Sequence, residues 1–306
     1  MARLFDAYYA VDWSSKNVPS ANKPSKDSLW VGEKLANGGS AESYFKTRHA
    51  CKSYLKEKLL EHVQKKERVF VGFDFAYGYP KGFARALGLK GVPWKVLWNQ
   101  LNKLITDTEE NANNRFEVAS LLNERCGGKD GPLWGHPVGR EYKTLTIKSP
   151  KLSYPFSANG VLLERYRIVD NMEKSKGIQP IWKLAGPASV GGQCLVGIPI
   201  VCQLRDDEEL SRYSKVWPFE TGFTKDPVGK GPCILHCEIW PGNIPLELDK
   251  KIEIRDQAQV KAVVSWLSWL DDKNQLGKIF EAPQGLSKEQ IKTCLEEEGW
   301  IIGAGI

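Results

Sequence analysis

The spacing of apolar and polar residues changes several times along this chain, and each change marks an element. Residues 5–13 (FDAYYAVDW) are an almost unbroken apolar and aromatic run, which predicts a buried first strand. Ser14 to Ser28, rich in Ser, Lys, Asn and Pro, predicts a mobile loop. A second strand over Leu29 to Leu35 ends at the turn signal Asn37-Gly38-Gly39, and residues 41–46 supply a third. From Arg48 to Lys66 the period becomes helical, with Cys51, Leu55, Leu59 and Val63 on one stripe. Val69 to Phe75 is apolar again except at Gly72 and Asp74, which completes a β-β-β-α-β opening.

The rest of the chain reads as mostly helical. Helices are predicted over Trp94 to Asp107, Asn111 to Arg125, Val190 to Leu204, Asp256 to Leu270 and Lys288 to Glu298, with Pro199 breaking or kinking the third. Residues 127–160, rich in Gly, Pro and aromatics, predict an irregular segment, and Ile234 to Trp240 a late strand closed by Pro241-Gly242. No repeat or compositional break divides the chain. The expectation is one elaborated α/β domain, with a core from residues 1–80 and 230–306 and a mostly helical insertion over 81–229.

Composition narrows the class. With 42% hydrophobic and 26% charged residues, the 306-residue chain suits a soluble globular protein whose core needs no disulfide. No apolar run approaches the roughly 18 residues of a membrane span. Seven cysteines, an odd number without a C-x-x-C pair, point to reduced thiols and a cytoplasmic location. Membrane, secreted and disordered classes are excluded. The net charge of +6 gathers near the front, where residues 1–68 hold 13 Lys+Arg against 8 Asp+Glu. A solvated face explains that excess as well as an anionic partner does.

Among chemical signals, phosphate-loop, nucleotide-fold, hydrolase-elbow and zinc-protease motifs are all absent. His49, His62, His136 and His236 are far apart, and Cys233 and Cys237 read as core residues on one strand face. The carboxylates are more informative. Asp12 and Asp74 sit near the C-terminal ends of the first and fourth strands, where an unpaired carboxylate is costly to bury. Glu238 ends the late strand and Asp256 opens a helix, where N-capping is an equally good explanation. Hard oxygen ligands gathered from several strands suit Mg²⁺ or Mn²⁺. Two such ions about 4 Å apart activate water and stabilise the leaving oxygen in phosphodiester cleavage.

That order of acids resembles the RNase H-like nuclease and integrase superfamily. More closely, VDWS, GFDFAYGYP, NNRFEVASLLNER, SVGGQCLVGIP, PFETG, EIWP and EEGWIIG are similar to an uncharacterised bacterial family with a predicted RNase H-like fold. The resemblance implies an RNase H-like mixed β-sheet flanked by helices. It also implies an acidic centre of Asp12, Asp74 and Asp256, with Glu238 as a fourth metal ligand. The expected activity is metal-dependent hydrolysis of a nucleic acid. Ser14, Lys16, Tyr77, Arg115 and Glu117 are candidate substrate contacts, and Tyr77, Tyr79, Phe83, Trp94 and Trp98 candidate base-stacking aromatics. Ser189-Val190-Gly191-Gly192 offers either an anion-binding helix start or close packing. The alternatives are an actin- or sugar-kinase-like phosphotransferase and a non-enzymatic binding protein of the same fold. DNA versus RNA and oligomeric state are left open by the sequence.

Overall fold

The computed structural model describes residues 3–128, 130–148, 152–173, 177–186 and 189–305. Its strands are β1 (Ala7–Asp12), β2 (Leu29–Leu35), β3 (Ser40–Phe45), β4 (Arg68–Phe73), β5 (Phe156–Ala158), β6 (Val161–Leu163), β7 (Ser214–Val216) and β8 (Cys233–Glu238). Its helices are α1 (Arg48–Gln64), α2 (Phe83–Ala86), α3 (Pro93–Leu104), α4 (Arg115–Arg125), α5 (Ile168–Glu173), α6 (Val190–Arg205), α7 (Arg255–Asp272) and α8 (Lys288–Thr293).

Six strands form one mixed sheet in the order β3-β2-β1-β4-β8-β7. The first three make an antiparallel meander, turned by the predicted Asn-Gly-Gly, and β4 then returns parallel to β1 through α1. Strands β8 and β7 extend the parallel half, and β5 and β6 form a separate small hairpin. The opening quarter thus follows its hydrophobic pattern, with α1 started by the Thr47 hydroxyl, which accepts from the Ala50 N–H at 3.2 Å.

Both faces of the sheet are covered, so its central strands are buried except at Arg68, which opens β4, and Asp12, which ends β1. One face carries Tyr9, Val11, Val71 and Phe73, which pack with residues of α1, α3, α4 and α6. The other carries Tyr8, Ala10, Phe70 and Leu235 and receives α7. Helix α7 lies hard against β2 at Gly32, where an added Cβ would stand 2.7 Å from the Val260 carbonyl carbon and oxygen. Only glycine lets the helix come this close.

The structure departs from the sequence reading in several places. Helix α6 runs through Pro199 as one element, because its residues pack on both sides within the core. The last predicted helix is divided into α8 and a π-type turn over Cys294–Glu298. The predicted irregular segment contains β5 and leads through the turn at Asn159 and Gly160 into β6, although residues 129 and 149–151 lie outside the described set. The segment from Ser14 to Ser28 has no regular structure but is firmly tied. Buried Arg48 donates from Nη1 to the carbonyls of Ser14 (2.9 Å) and Lys16 (2.8 Å), and its Nε and Nη2 hold Asp107 at 2.6 Å. No helix among the described residues is long and apolar enough to cross a membrane.

Candidate functional site

Parallel pairing fixes the centre of the site. Strands β1 and β4 are in register through Val11 opposite Phe73, so Asp12 and Asp74 follow side by side on the face that α7 covers. The Asp74 N–H donates to the Val11 carbonyl (3.1 Å), and the Trp13 N–H donates to Asp74 Oδ1 at 2.7 Å. The close approach of α7 at Gly32 brings Asp256, in its first turn, toward the same edge. Asp256 does not cap the helix, whose N-cap is Ile254. It accepts instead from the Asp27 N–H at 2.8 Å and so ties α7 to the β1–β2 loop.

These carboxylates lie in a cavity of about 880 Å³ whose walls include Asp12, Asp27, Asp74 and Asp256. No N–H or O–H of a described residue donates to the Asp12 carboxylate. Burial, then the charges of Asp256 and Asp27, push its pKa well above the ordinary value. Asp74 is raised by burial and next by Asp12, against the pull of the Trp13 N–H. Asp256 is raised chiefly by burial. The three therefore sense one another as charges, an arrangement that a bound cation would relieve. No three His, Cys, Asp or Glu side chains among the described residues are grouped closely enough to hold a metal ion by themselves.

Glu238 lies differently. It is in register with Phe73, and alternation turns it toward the sheet face opposite Asp12 and Asp74. There its oxygens accept from Arg167 Nη2 (2.6 Å), Arg167 Nη1 (2.8 Å) and the Tyr77 N–H (2.9 Å). Arg167 also holds Asp170 through Nε (3.1 Å) and Nη2 (2.9 Å) and donates from Nη1 to the Glu298 carbonyl (3.0 Å). Every donor of this guanidinium has a partner, and the three side chains are 2–3% exposed. Glu238 borders the same cavity together with Arg167 and Asp170, but there its carboxylate is engaged as the counterion of a buried guanidinium. Arg167 and Asp170 gave no sequence signal beyond their i, i+3 spacing.

Of the predicted substrate contacts, Ser14, Lys16 and Arg115 line the cavity. Tyr77 does not. It is buried against Phe75 and Trp98, with its carbonyl accepting the Trp98 indole N–H at 2.7 Å. Tyr79, Phe83, Trp94 and Trp98 are also core residues, so the base-stacking reading of these aromatics gives way to packing. Glu117 is exposed on the first turn of α4 and lies outside the cavity wall. Phe219 stacks on Trp94, and Glu220 pairs with Arg205, which gives that segment a structural role. The four histidines are dispersed; His62, for example, lies between the Tyr9 hydroxyl and Glu67. No protein-family model, curated protein or solved structure matches the chain.

Proposed function

We propose that the protein is a divalent-metal-dependent hydrolase of phosphodiester bonds in a nucleic acid, on an RNase H-like fold. The meander of three antiparallel strands with β4 and β8 added in parallel supports that fold assignment. One observation carries the functional reading: two carboxylates at the ends of adjacent parallel strands, one of them with no hydrogen-bond donor, share a cavity with a third acid.

Asp12 and Asp74 would hold the ion, and Asp256 would complete the negative field around it. The residues suit a hard cation, because their donors are all oxygen. Mg²⁺ commonly takes only one or two protein carboxylates and fills its other positions with water and substrate phosphate. A bound ion of this kind would supply an activated water and neutralise charge on the leaving oxygen. The protein's own part is orientation. The Trp13 N–H fixes Asp74 through Oδ1, the Asp27 N–H fixes Asp256, and Arg48 holds the Ser14–Lys16 backbone that forms one wall. Lys16 and Arg115 add positive charge for an anionic substrate.

Calorimetric titration with Mn²⁺, paired with cleavage assays on single- and double-stranded oligonucleotides, tests the reading. Saturable Mn²⁺ binding and cleavage, both lost in Asp12→Asn with the fold intact, are expected. A wild-type protein that binds no Mn²⁺ at millimolar concentration would overturn it. A phosphotransferase would instead need nucleotide together with metal to show its full response.

A further inference from the structure

The cavity contains a second polar constellation that the carboxylates do not use. Arg115, the first residue of α4, is 8% exposed, and its guanidinium lies over the Phe116 ring at 4.3 Å with only Nη1 hydrogen-bonded among the described residues. Nη1 donates to Asn113 Oδ1 (2.9 Å) and to Asn17 Oδ1, whereas Nε is buried without a partner. Nη2 donates to no described residue. Burial, followed by the charge of Arg48, lowers the Arg115 pKa to about 10, which leaves the group cationic at neutral pH. A buried cation with open donors is costly unless an acceptor arrives.

The surroundings supply the rest of an anion receptor. Helix α6 is 16 residues long and starts at the cavity wall, where Ser189 and Val190 are exposed to the space. The Ser189 side chain makes no capping bond, and the Gly191 N–H is taken by the Lys183 carbonyl at 2.9 Å. The remaining first-turn N–H groups and the positive end of the helix dipole thus carry no side-chain anion. Gly192 joins the two features. A Cβ on it would stand 2.6 Å from the Leu184 carbonyl oxygen, 3.2 Å from Ser15 Oγ and 3.6 Å from Arg115 Nε, so the helix start, the hydroxyl and the guanidinium edge converge beside that carbonyl.

We propose that Arg115, Ser15 and the first turn of α6 form a receptor for a phosphate monoester, and that the substrate is presented by its terminal phosphate. This rests on the cavity being a phosphate-ester site and adds which part of the substrate it grips. A dianionic phosphate has enough oxygens to accept from Arg115, the Ser15 hydroxyl and backbone N–H groups together. The volume, about 880 Å³, is that of a pocket for one small molecule. A nucleotide or the 5′-phosphorylated end of a strand can enter it; an internal phosphate of a rigid duplex cannot reach so buried an arginine. Asp12, Asp74 and Asp256 then face the adjoining ester rather than the gripped phosphate.

The test is run in EDTA, so that it is independent of the metal reading. Inorganic phosphate, 5′-AMP and adenosine are titrated into the wild-type protein, and the melting temperature and the arginine Nε–H resonances are followed by NMR. Phosphate and 5′-AMP should stabilise the protein and shift one Nε–H resonance, and adenosine should do neither. Arg115→Gln should weaken phosphate binding about tenfold or more, the effect of losing charge-assisted hydrogen bonds. Asp12→Asn should retain it. If Arg115→Gln does not fold, the wild-type Nε–H resonance decides. Oligonucleotides with a 5′-phosphate or a 5′-hydroxyl separate a strand end from a free nucleotide as the source. The proposal fails if Arg115→Gln binds phosphate as tightly as wild type, if no Nε–H resonance moves, or if phosphate binds only in a parallel titration with Mn²⁺ in place of EDTA. The last outcome would mean that an ion, not Arg115, holds the anion.

Discussion

Replacing Arg167 by Met provides a strong test of whether Glu238 belongs to a structural triad or to the metal centre. The substitution keeps the aliphatic stem but removes the only cation that, among the described residues, lies between Asp170 and Glu238, each 3% exposed. Among the described residues, what remains for them is one backbone donor each, the Tyr77 N–H at 2.9 Å for Glu238 and the Arg167 N–H at 3.2 Å for Asp170. Removing one partner from a buried ionic cluster typically destabilises by about 3–5 kcal/mol. With about 2–4 °C per kcal/mol for a large domain, the melting temperature should fall by about 6–20 °C. The loss must depend on pH. Glu238 is already raised by burial, against the pull of Arg167, and without the guanidinium its carboxyl rises further above the unfolded value. A raised carboxyl contributes stability that is present below the unfolded pKa and disappears as pH climbs, by up to about 1.4 kcal/mol per unit. Arg167→Met should therefore be much closer to wild type near pH 5 than near pH 8. Adding Glu238→Gln should recover part of the deficit at pH 8. Differential scanning calorimetry at the two pH values, with Mn²⁺ titration of Glu238→Gln alone, completes the experiment. A variant that melts within 2 °C of wild type (about 1 kcal/mol or less) at both pH values would refute the triad argument. Loss of Mn²⁺ binding in Glu238→Gln, with the fold intact, would return Glu238 to the metal centre.

Other perturbations follow from the same geometry. Asp12→Asn should leave the apo protein as stable as wild type or more so, because it removes one of several mutually repelling buried acids. Mn²⁺ at a hundred times its Kd should stabilise wild type by about 2.7 kcal/mol, several degrees, and should leave the triple Asp12→Asn, Asp74→Asn, Asp256→Asn variant unmoved in a thermal melt. Gly32→Ala should lower stability by about 1–3 kcal/mol and weaken the Mn²⁺ response, since the new methyl forces α7 and Asp256 away from β2. Glu298 is raised to about 7, chiefly by burial, so its contribution declines as pH rises from its ordinary value of 4.5. Urea denaturation of Glu298→Gln should show a flatter pH dependence than wild type between about pH 5 and 7. His236, lowered to about 3 by burial, acts with the opposite sign below pH 6.5 in both proteins and cancels in that comparison.

By itself, the sequence determined the elements whose periodicity is local. The three strands of the meander, the α1 stripe and the apolar β4 run follow directly from alternation and turn chemistry. Asp12 and Asp74 stood out for the same reason, since each interrupts an apolar run at a strand end. Their adjacency is a property of the parallel β1–β4 register, in which a shift of one residue would have turned one of them to the other face. Alternation also sets Glu238 apart from them: in the sequence it looked equivalent, but it borders the shared cavity from the other sheet face, where its register with Phe73 directs it to Arg167, about seventy residues away. Tyr77 and its neighbouring aromatics could not be assigned from composition, because a ring beside an acid looks alike whether it lines a cavity or fills a core. The β1–β2 loop looked mobile because its polarity says nothing of Arg48, which reaches it from α1. Arg115 and the start of α6 were each ambiguous alone and lie some seventy-five residues apart. Only the packing at Gly192 makes them neighbours, because long-range contact and desolvation are set by the folded chain and not by any local pattern.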